Sequence, residues 1–275
     1  MKIFIDSASL DEIEEAYSCG LIDGVTTNPS LIKKAVVKRK AEGEDIDMVG
    51  YIKKVLAIAQ GTPVSLEVTG ITYENMITEA KILYDMFNPV AHNVAIKIPI
   101  NPTRENETNG RYDGVKAIRT LSQKGIPVNC TLIFTPEQAL MAAKAGAAYV
   151  SPFAGRIDDH IRKLNQIPFK KTDYYPECGK NKDGVLLHDN GIVSGIDLVK
   201  KIKTIFTLYN IHTEVLAASI RNARQVREAA LAGADISTLP FGVISDLLHH
   251  FKTMEGIKGF VQDTIPEYRD IMKGR

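Results

Sequence analysis

Short apolar runs rich in Val, Ile and Leu alternate with amphipathic stretches along the whole chain. No other feature restricts the possible folds as strongly. The runs lie near 2–7 (KIFIDS), 23–28 (DGVTTN), 64–69 (VSLEVT), 93–100 (NVAIKIPI), 127–134 (PVNCTLIF), 149–155 (YVSPFAG), 213–219 (TEVLAAS) and 235–240 (DISTLP). Runs of this kind suit strands buried on both faces, as in parallel sheets whose crossovers place helices outside. Helical patterns fall between them, most clearly at 72–86, 113–124, 136–146, 192–208, 221–232 and 241–252. Thr135-Pro136 followed by Glu137 reads as an N-cap with proline in the first turn, and Gly146 and Gly233 lie where helices stop. Eight βα units with no Pro/Gly/Ser-rich linker predict an α/β fold: a single (β/α)8 TIM barrel over 1–275, with an extra C-terminal helix. A doubly wound open sheet is the alternative, but no GxGxxG follows the first strand to form a dinucleotide crevice.

Composition narrows the function classes. The chain has 275 residues, 44% hydrophobic and 24% charged, as in globular domains with a sizeable core. A net charge of +1 supplies no basic surplus for nucleic acid or an anionic membrane. No apolar run approaches the ~20 residues of a membrane helix. The chain enters its first strand without a basic, apolar leader, and Cys19, Cys130 and Cys178 have no metal-like spacing. A cytoplasmic setting without metal or other cofactor is the expectation.

Two segments break the rhythm, 101–112 (NPTRENETNGRY) and 160–191 (HIRKLNQIPFKKTDYYPECGKNKDGVLLHDNG). Each lies between a strand and the next helix, which on a barrel is the catalytic face. Long loops there bind substrates or form interfaces more often than they are inert.

The C-terminal ends of the strands carry polar groups where Val, Ile or Leu would be usual: Asp6, Asn28, Glu67, Lys97, Asn129 with Thr131, Ser151, and Ser219 with Arg221. Lys97 stands out because NVAIKIPI is otherwise uncharged. A lysine is almost never buried without a partner or a task. Its amine, once neutral, can attack a carbonyl and form a Schiff base. The competing reading is a lysine that snorkels to solvent, or that is neutralised by Glu67 and Asp6. Glu67 on the neighbouring strand is positioned to shuttle protons, and Asp6 across the barrel mouth is available as a second base. Arg156 and Arg221 leave the ends of two other strands, and their planar forks suit phosphate.

Taken together, GVTTNPSLI at 24–32, VAIKIP at 94–99, NCTLIF at 129–134, AGAAYVSPFAGRID at 145–158, EVLAASIRN at 214–222 and REAALAGADISTLP at 227–240 resemble the signatures of the transaldolase family, in the family's order. The resemblance implies a metal-free class I aldol mechanism acting on sugar phosphates, of the pentose phosphate type. In it Lys97 is the Schiff-base nucleophile. Glu67 is the acid/base carboxylate, working through a water positioned by Thr131. Asp6 removes the C4 hydroxyl proton. Asn28 and Asn129 hold the dihydroxyacetone fragment left on Lys97, Ser151 and Ser219 line the pocket with Thr27 and Phe153 as further substrate contacts, and Arg156 and Arg221 hold phosphate.

Fructose 6-phosphate aldolases resemble this family closely but release free dihydroxyacetone, and they carry Gln and Tyr where this chain has Glu67 and Phe153. Both positions therefore follow the transaldolase pattern, with the aldolase as the alternative. The chain departs from the family after the lysine strand, where Thr103 and Thr108 are both candidates for a displaced threonine. Small family members form rings, pentamers or decamers, with a C-terminal helix crossing to the next subunit. The tail at 254–272 (MEGIKGFVQDTIPEYRDIM) suits such a homo-oligomer.

Overall fold

A computed structural model describes residues 1–101 and 112–274. Eight parallel strands form the barrel: β1 (Lys2–Asp6), β2 (Gly24–Thr26), β3 (Val64–Glu67), β4 (Val94–Pro99), β5 (Val128–Ile133), β6 (Tyr149–Pro152) and then, after an excursion, β9 (Glu214–Ala217) and β10 (Ile236–Leu239). The excursion carries a two-stranded antiparallel ribbon, β7 (Asn181–Lys182) and β8 (Val185–Leu186). Strand β6 pairs with β9, and β10 returns to β1, so the sheet closes on itself. This is the closed barrel that the alternation predicts, and no edge is left exposed.

The lumen has an apolar lower part and a polar upper part. Phe4, Leu216, Ala218 and Ile236 form a small cluster inside, with the Phe4 and Tyr149 rings edge to face at 6.5 Å. A Cβ at Gly24 would lie 2.6 Å from the Phe4 ring, so only glycine lets that ring fill the barrel. Asp6 stands two residues further along β1 and shares that ring's side of the strand, nearer the mouth. The main core lies between the strands' outer sides and the helices: Ile5, Leu66, Ile96, Ile98, Val128 and Val150 pack with Ile118, Ile157, Ile196 and Val199.

Several βα turns end in a side-chain cap, which satisfies orphan amides and sets the helix direction. Asn28, Thr72, Thr135, Ser194 and Asn222 accept from the N–H of Leu31, Asn75, Gln138, Asp197 and Gln225. Thr135 forms a full capping box with Gln138.

The helices differ from expectation in four places. The helix expected over 72–86 is Tyr73–Ala91 and runs through Pro89, which falls in its last turn. The segment expected over 241–252 is cut: Phe241–Asp246 ends, and a new helix, Phe251–Asp263, starts after His250. The tail is two helices, Phe251–Asp263 and Pro266–Met272, because the Ile265-Pro266 step interrupts it. The 160–191 excursion is not loop throughout, since its first residues complete the helix Ala154–Leu164, which begins directly after β6. Residues 102–111, including Thr103 and Thr108, lie outside the described residues. No helix among the described residues is long and apolar enough to cross a membrane.

Candidate active site

Register places the reactive groups side by side at the barrel mouth. Glu67 on β3 pairs with Lys97 on β4, and Lys97 pairs with Asn129 on β5. Lys97 is 5% exposed, so it is a buried lysine and not a snorkelling one. Its Nζ lies 3.1 Å from Glu67 Oε2 and donates to the Thr27 carbonyl at 3.4 Å. The Phe153 ring covers it, 5.9 Å from Nζ to the ring centroid.

Around this pair the polar residues form two hydrogen-bonded groups. Asn129 is wholly buried, donates through Nδ2 to Ser65 Oγ at 3.1 Å, and accepts from Ser151 Oγ at 2.7 Å. Thr27 donates to the Ser65 carbonyl at 2.8 Å. Asp6 Oδ1 accepts from Thr26 Oγ1 at 2.8 Å, and the Thr26 and Thr238 hydroxyls stand 2.5 Å apart. Burial pushes the Asp6 carboxyl above the ordinary carboxylate range, while Lys97, the Thr26 hydroxyl and Arg156 pull it partly back. A carboxylate held that way is a stronger base at neutral pH than a free one.

Thr131 has a buried hydroxyl without a hydrogen-bond partner among the described residues. Its hydroxyl is therefore free to bond a water or a substrate group. Its strand is irregular there: the β5–β6 register shifts between Cys130 and Ile133, and Leu132 adopts φ 59°. For a non-glycine residue that is a strained backbone, of the sort concentrated at functional sites. Nothing in the amino-acid pattern signals it.

A cavity of about 550 Å³ opens beside these groups, lined by Phe134, Arg156, Asp159, Lys171, Arg221 and neighbouring side chains. Arg156 stacks on Phe153, its guanidinium 4.8 Å from the ring centroid, and Phe153 meets Phe134 edge to face at 6.0 Å. Arg221 pairs with Asp159 at 3.0 Å and donates to the hydroxyl and carbonyl of Ser219, itself at φ 60°. Burial lowers the pKa of Arg221, opposed by Asp159; the group stays charged regardless.

The sequence-predicted residues thus gather into two joined regions. Asp6, Thr27, Glu67, Lys97, Asn129, Thr131 and Ser151 surround the amine. Arg156 and Arg221 line the adjoining cavity, with Phe153 stacked against Arg156 and Ser219 hydrogen-bonded to Arg221. Asn28 sits at the mouth, but its side-chain oxygen caps the helix Pro29–Ala41. The acidic partner of Arg221 and the cavity's contributors from the excursion, Lys171 and Asp189, were not foreseen.

The fold and the site together define a closed parallel barrel with a buried lysine and a carboxylate paired at its mouth, and sequence comparison gives its family. The family model "Transaldolase/Fructose-6-phosphate aldolase" matches residues 3–271. A protein called "Probable transaldolase" from Thermoplasma acidophilum is 40% identical over 263 residues, covering 96% of this chain and 95% of that one. Another of the same name from Prosthecochloris aestuarii is 43% identical, covering 96% of this chain and 97% of its own length. The chain belongs to the transaldolase/fructose-6-phosphate aldolase family.

Proposed function

We propose that the protein is a transaldolase moving a dihydroxyacetone unit from a ketose phosphate, fructose 6-phosphate or sedoheptulose 7-phosphate, to an aldose phosphate. One observation carries the reading: a buried lysine stands 3.1 Å from a carboxylate at the mouth of a barrel whose cavity wall holds two arginines. Glu67 takes the ammonium proton, and the freed Lys97 amine attacks the C2 ketone. Glu67 then returns a proton to the C2 hydroxyl, which leaves as water, and the imine forms. Asp6 removes the proton of the C4 hydroxyl. The C3–C4 bond breaks, its electrons pass into the imine, and the aldose phosphate departs from an enamine. Asn129 and Ser151 hold the dihydroxyacetone fragment, with Thr27 and Asn28 closing the mouth, and Thr131 positions the water through which Glu67 works. Arg156, with Arg221 beside Ser219, holds the phosphate of donor and acceptor in turn.

Glu67 and Phe153 favour transfer over simple aldol cleavage. A carboxylate shuttles protons where an amide only orients water, and phenylalanine brings no hydroxyl to assist release. The test is glyceraldehyde 3-phosphate release from fructose 6-phosphate, with and without erythrose 4-phosphate. Sustained release that requires the acceptor supports the transferase. Equal release without it makes the protein an aldolase.

We further propose that it works in the cytoplasm as a homo-oligomer. The tail helices bury nothing on their own barrel, and Phe251, Phe260, Val261, Ile265 and Ile271 are all at least 59% exposed. Isolated helices of this length are marginal in water, so a second copy of the chain is the partner we assign to that face.

A further inference from the structure

The excursion after the helix Ala154–Leu164 is organised around one buried cation. Arg162 is 2% exposed, and its guanidinium lies 5.0 Å from the Phe169 ring centroid and 4.9 Å from that of Tyr175. It donates to the Asp173 carbonyl at 2.9 Å, and its other nitrogen stands 3.7 Å from Asp159 Oδ1. Both rings and the carbonyl belong to the excursion. A guanidinium set against two rings and bonded to a backbone carbonyl fixes position as well as charge.

Between those rings the backbone makes a tight turn, residues 170–173. Asp173 N–H donates to the Lys170 carbonyl at 2.9 Å, and Lys170 N–H donates to Asp173 Oδ2 at 2.8 Å. Lys171 is at the tip of this turn, and its carbonyl is 3.5 Å from Arg221 Nη1. The same Asp159 carboxylate serves Arg162 through one oxygen and Arg221 through the other. The turn is thus tied to the arginine wall from two sides, and it delivers the Lys171 side chain to the cavity.

Charge in that cavity is unevenly matched. Asp159 offsets Arg221 at 3.0 Å, and Asp189 lies 3.8 Å from His160. Arg156, Lys163 and Lys171 also line it, and none of the three has an acidic partner within ion-pair distance among the described residues. A dianionic group would be met by cations from two sources, the barrel and the excursion.

We propose that Lys171 is a specificity-determining residue that binds the terminal phosphate of the substrate, so that the excursion selects phosphorylated over unphosphorylated sugars. The inference rests on the transaldolase reading, which borohydride trapping of dihydroxyacetone on the wild-type protein tests separately.

The experiment compares wild type, Lys171→Met and Lys171→Arg in two ways. Steady-state kinetics are measured with fructose 6-phosphate and with unphosphorylated fructose. Calorimetry measures binding of glycerol 3-phosphate against glycerol, which needs no turnover. Lys171→Met is expected to raise KM for fructose 6-phosphate and Kd for glycerol 3-phosphate about tenfold, the scale of one solvent-screened charge-assisted hydrogen bond. The change in kcat should stay within about twofold, as for an interaction made equally in ground and transition states. Lys171→Arg should restore most of both. Unchanged affinity for the phosphorylated ligands would overturn the proposal. So would equal weakening of fructose and fructose 6-phosphate, which marks a structural effect, or a failure of the wild type to prefer glycerol 3-phosphate. If dihydroxyacetone is not trapped yet the glycerol 3-phosphate effect is found, the phosphate role of Lys171 stands and the Schiff-base reading falls.

Discussion

Lys97 is the residue on which the proposed chemistry turns, and its oddity is visible in eight letters of sequence. What those letters do not show is who its neighbours are. Glu67 is adjacent because β3 and β4 pair in one register, and a slip of one residue would point it away from the lumen. Lys97→Met keeps the bulk and removes the amine, so turnover should fall by at least about 10^3-fold with the circular dichroism spectrum unchanged. Asp6→Asn should lose roughly 10^2- to 10^4-fold in kcat, the range of a general base. It should also gain thermal stability at neutral pH. The folded-state pKa of Asp6 is raised from 3.8, so the stability this carboxyl contributes is present below that unfolded value and is lost as pH rises through the folded one. Melting curves of the variant and the wild type should therefore separate at pH 7 and converge below about pH 4. A variant less stable than wild type at neutral pH would contradict this sign.

At the scale of elements, the strands were legible and several helices were not. Val- and Ile-rich runs declare a buried parallel strand directly, and each of the eight falls where expected. The helix Ala154–Leu164 hides in GRIDDHIRKL, where charges crowd the sequence although Asp158 and Arg162 are almost fully buried. Their partners lie in an irregular segment and on distant helices, so no periodicity could have revealed them. Asp158 accepts from Gly195 N–H at 2.7 Å and from Gln225 Nε2 at 2.8 Å, joining the starts of two later helices. Burial pushes its carboxyl up to about 7, against the pull of Gly195 N–H, Arg162 and Arg221. A raised folded pKa means stability is fully present below the unfolded value near 3.8 and is lost as pH rises towards about 7. The wild-type melting temperature should fall across that window more steeply than that of Asp158→Asn, and equal slopes would remove Asp158 as the cause. Arg162→Met should destabilise by on the order of 3 kcal/mol, as expected when one member of a buried charged network is removed. Limited proteolysis should then cut first between residues 165 and 191, with wild type resistant.

At the scale of the whole molecule, the two tail helices bury none of their own residues. The apolar residues of 251–272 are legible as an amphipathic segment, but a single chain does not say what covers them. In Phe260→Asp, placing a charge on a residue 77% exposed should leave the barrel's melting temperature nearly unchanged while lowering the assembled mass in sedimentation. An unchanged mass would show that this face is not the contact. Register, bulge and the φ of Leu132 and Ser219 are properties of the closed ring, which explains why the site's residues could be read but not their spacing.

The most direct test of the central claim is borohydride reduction of the protein in the presence of fructose 6-phosphate, followed by peptide mass mapping. The expected result is a reduced three-carbon adduct on the peptide containing Lys97, absent in Lys97→Met. An adduct on another lysine, or none while turnover continues, would contradict it.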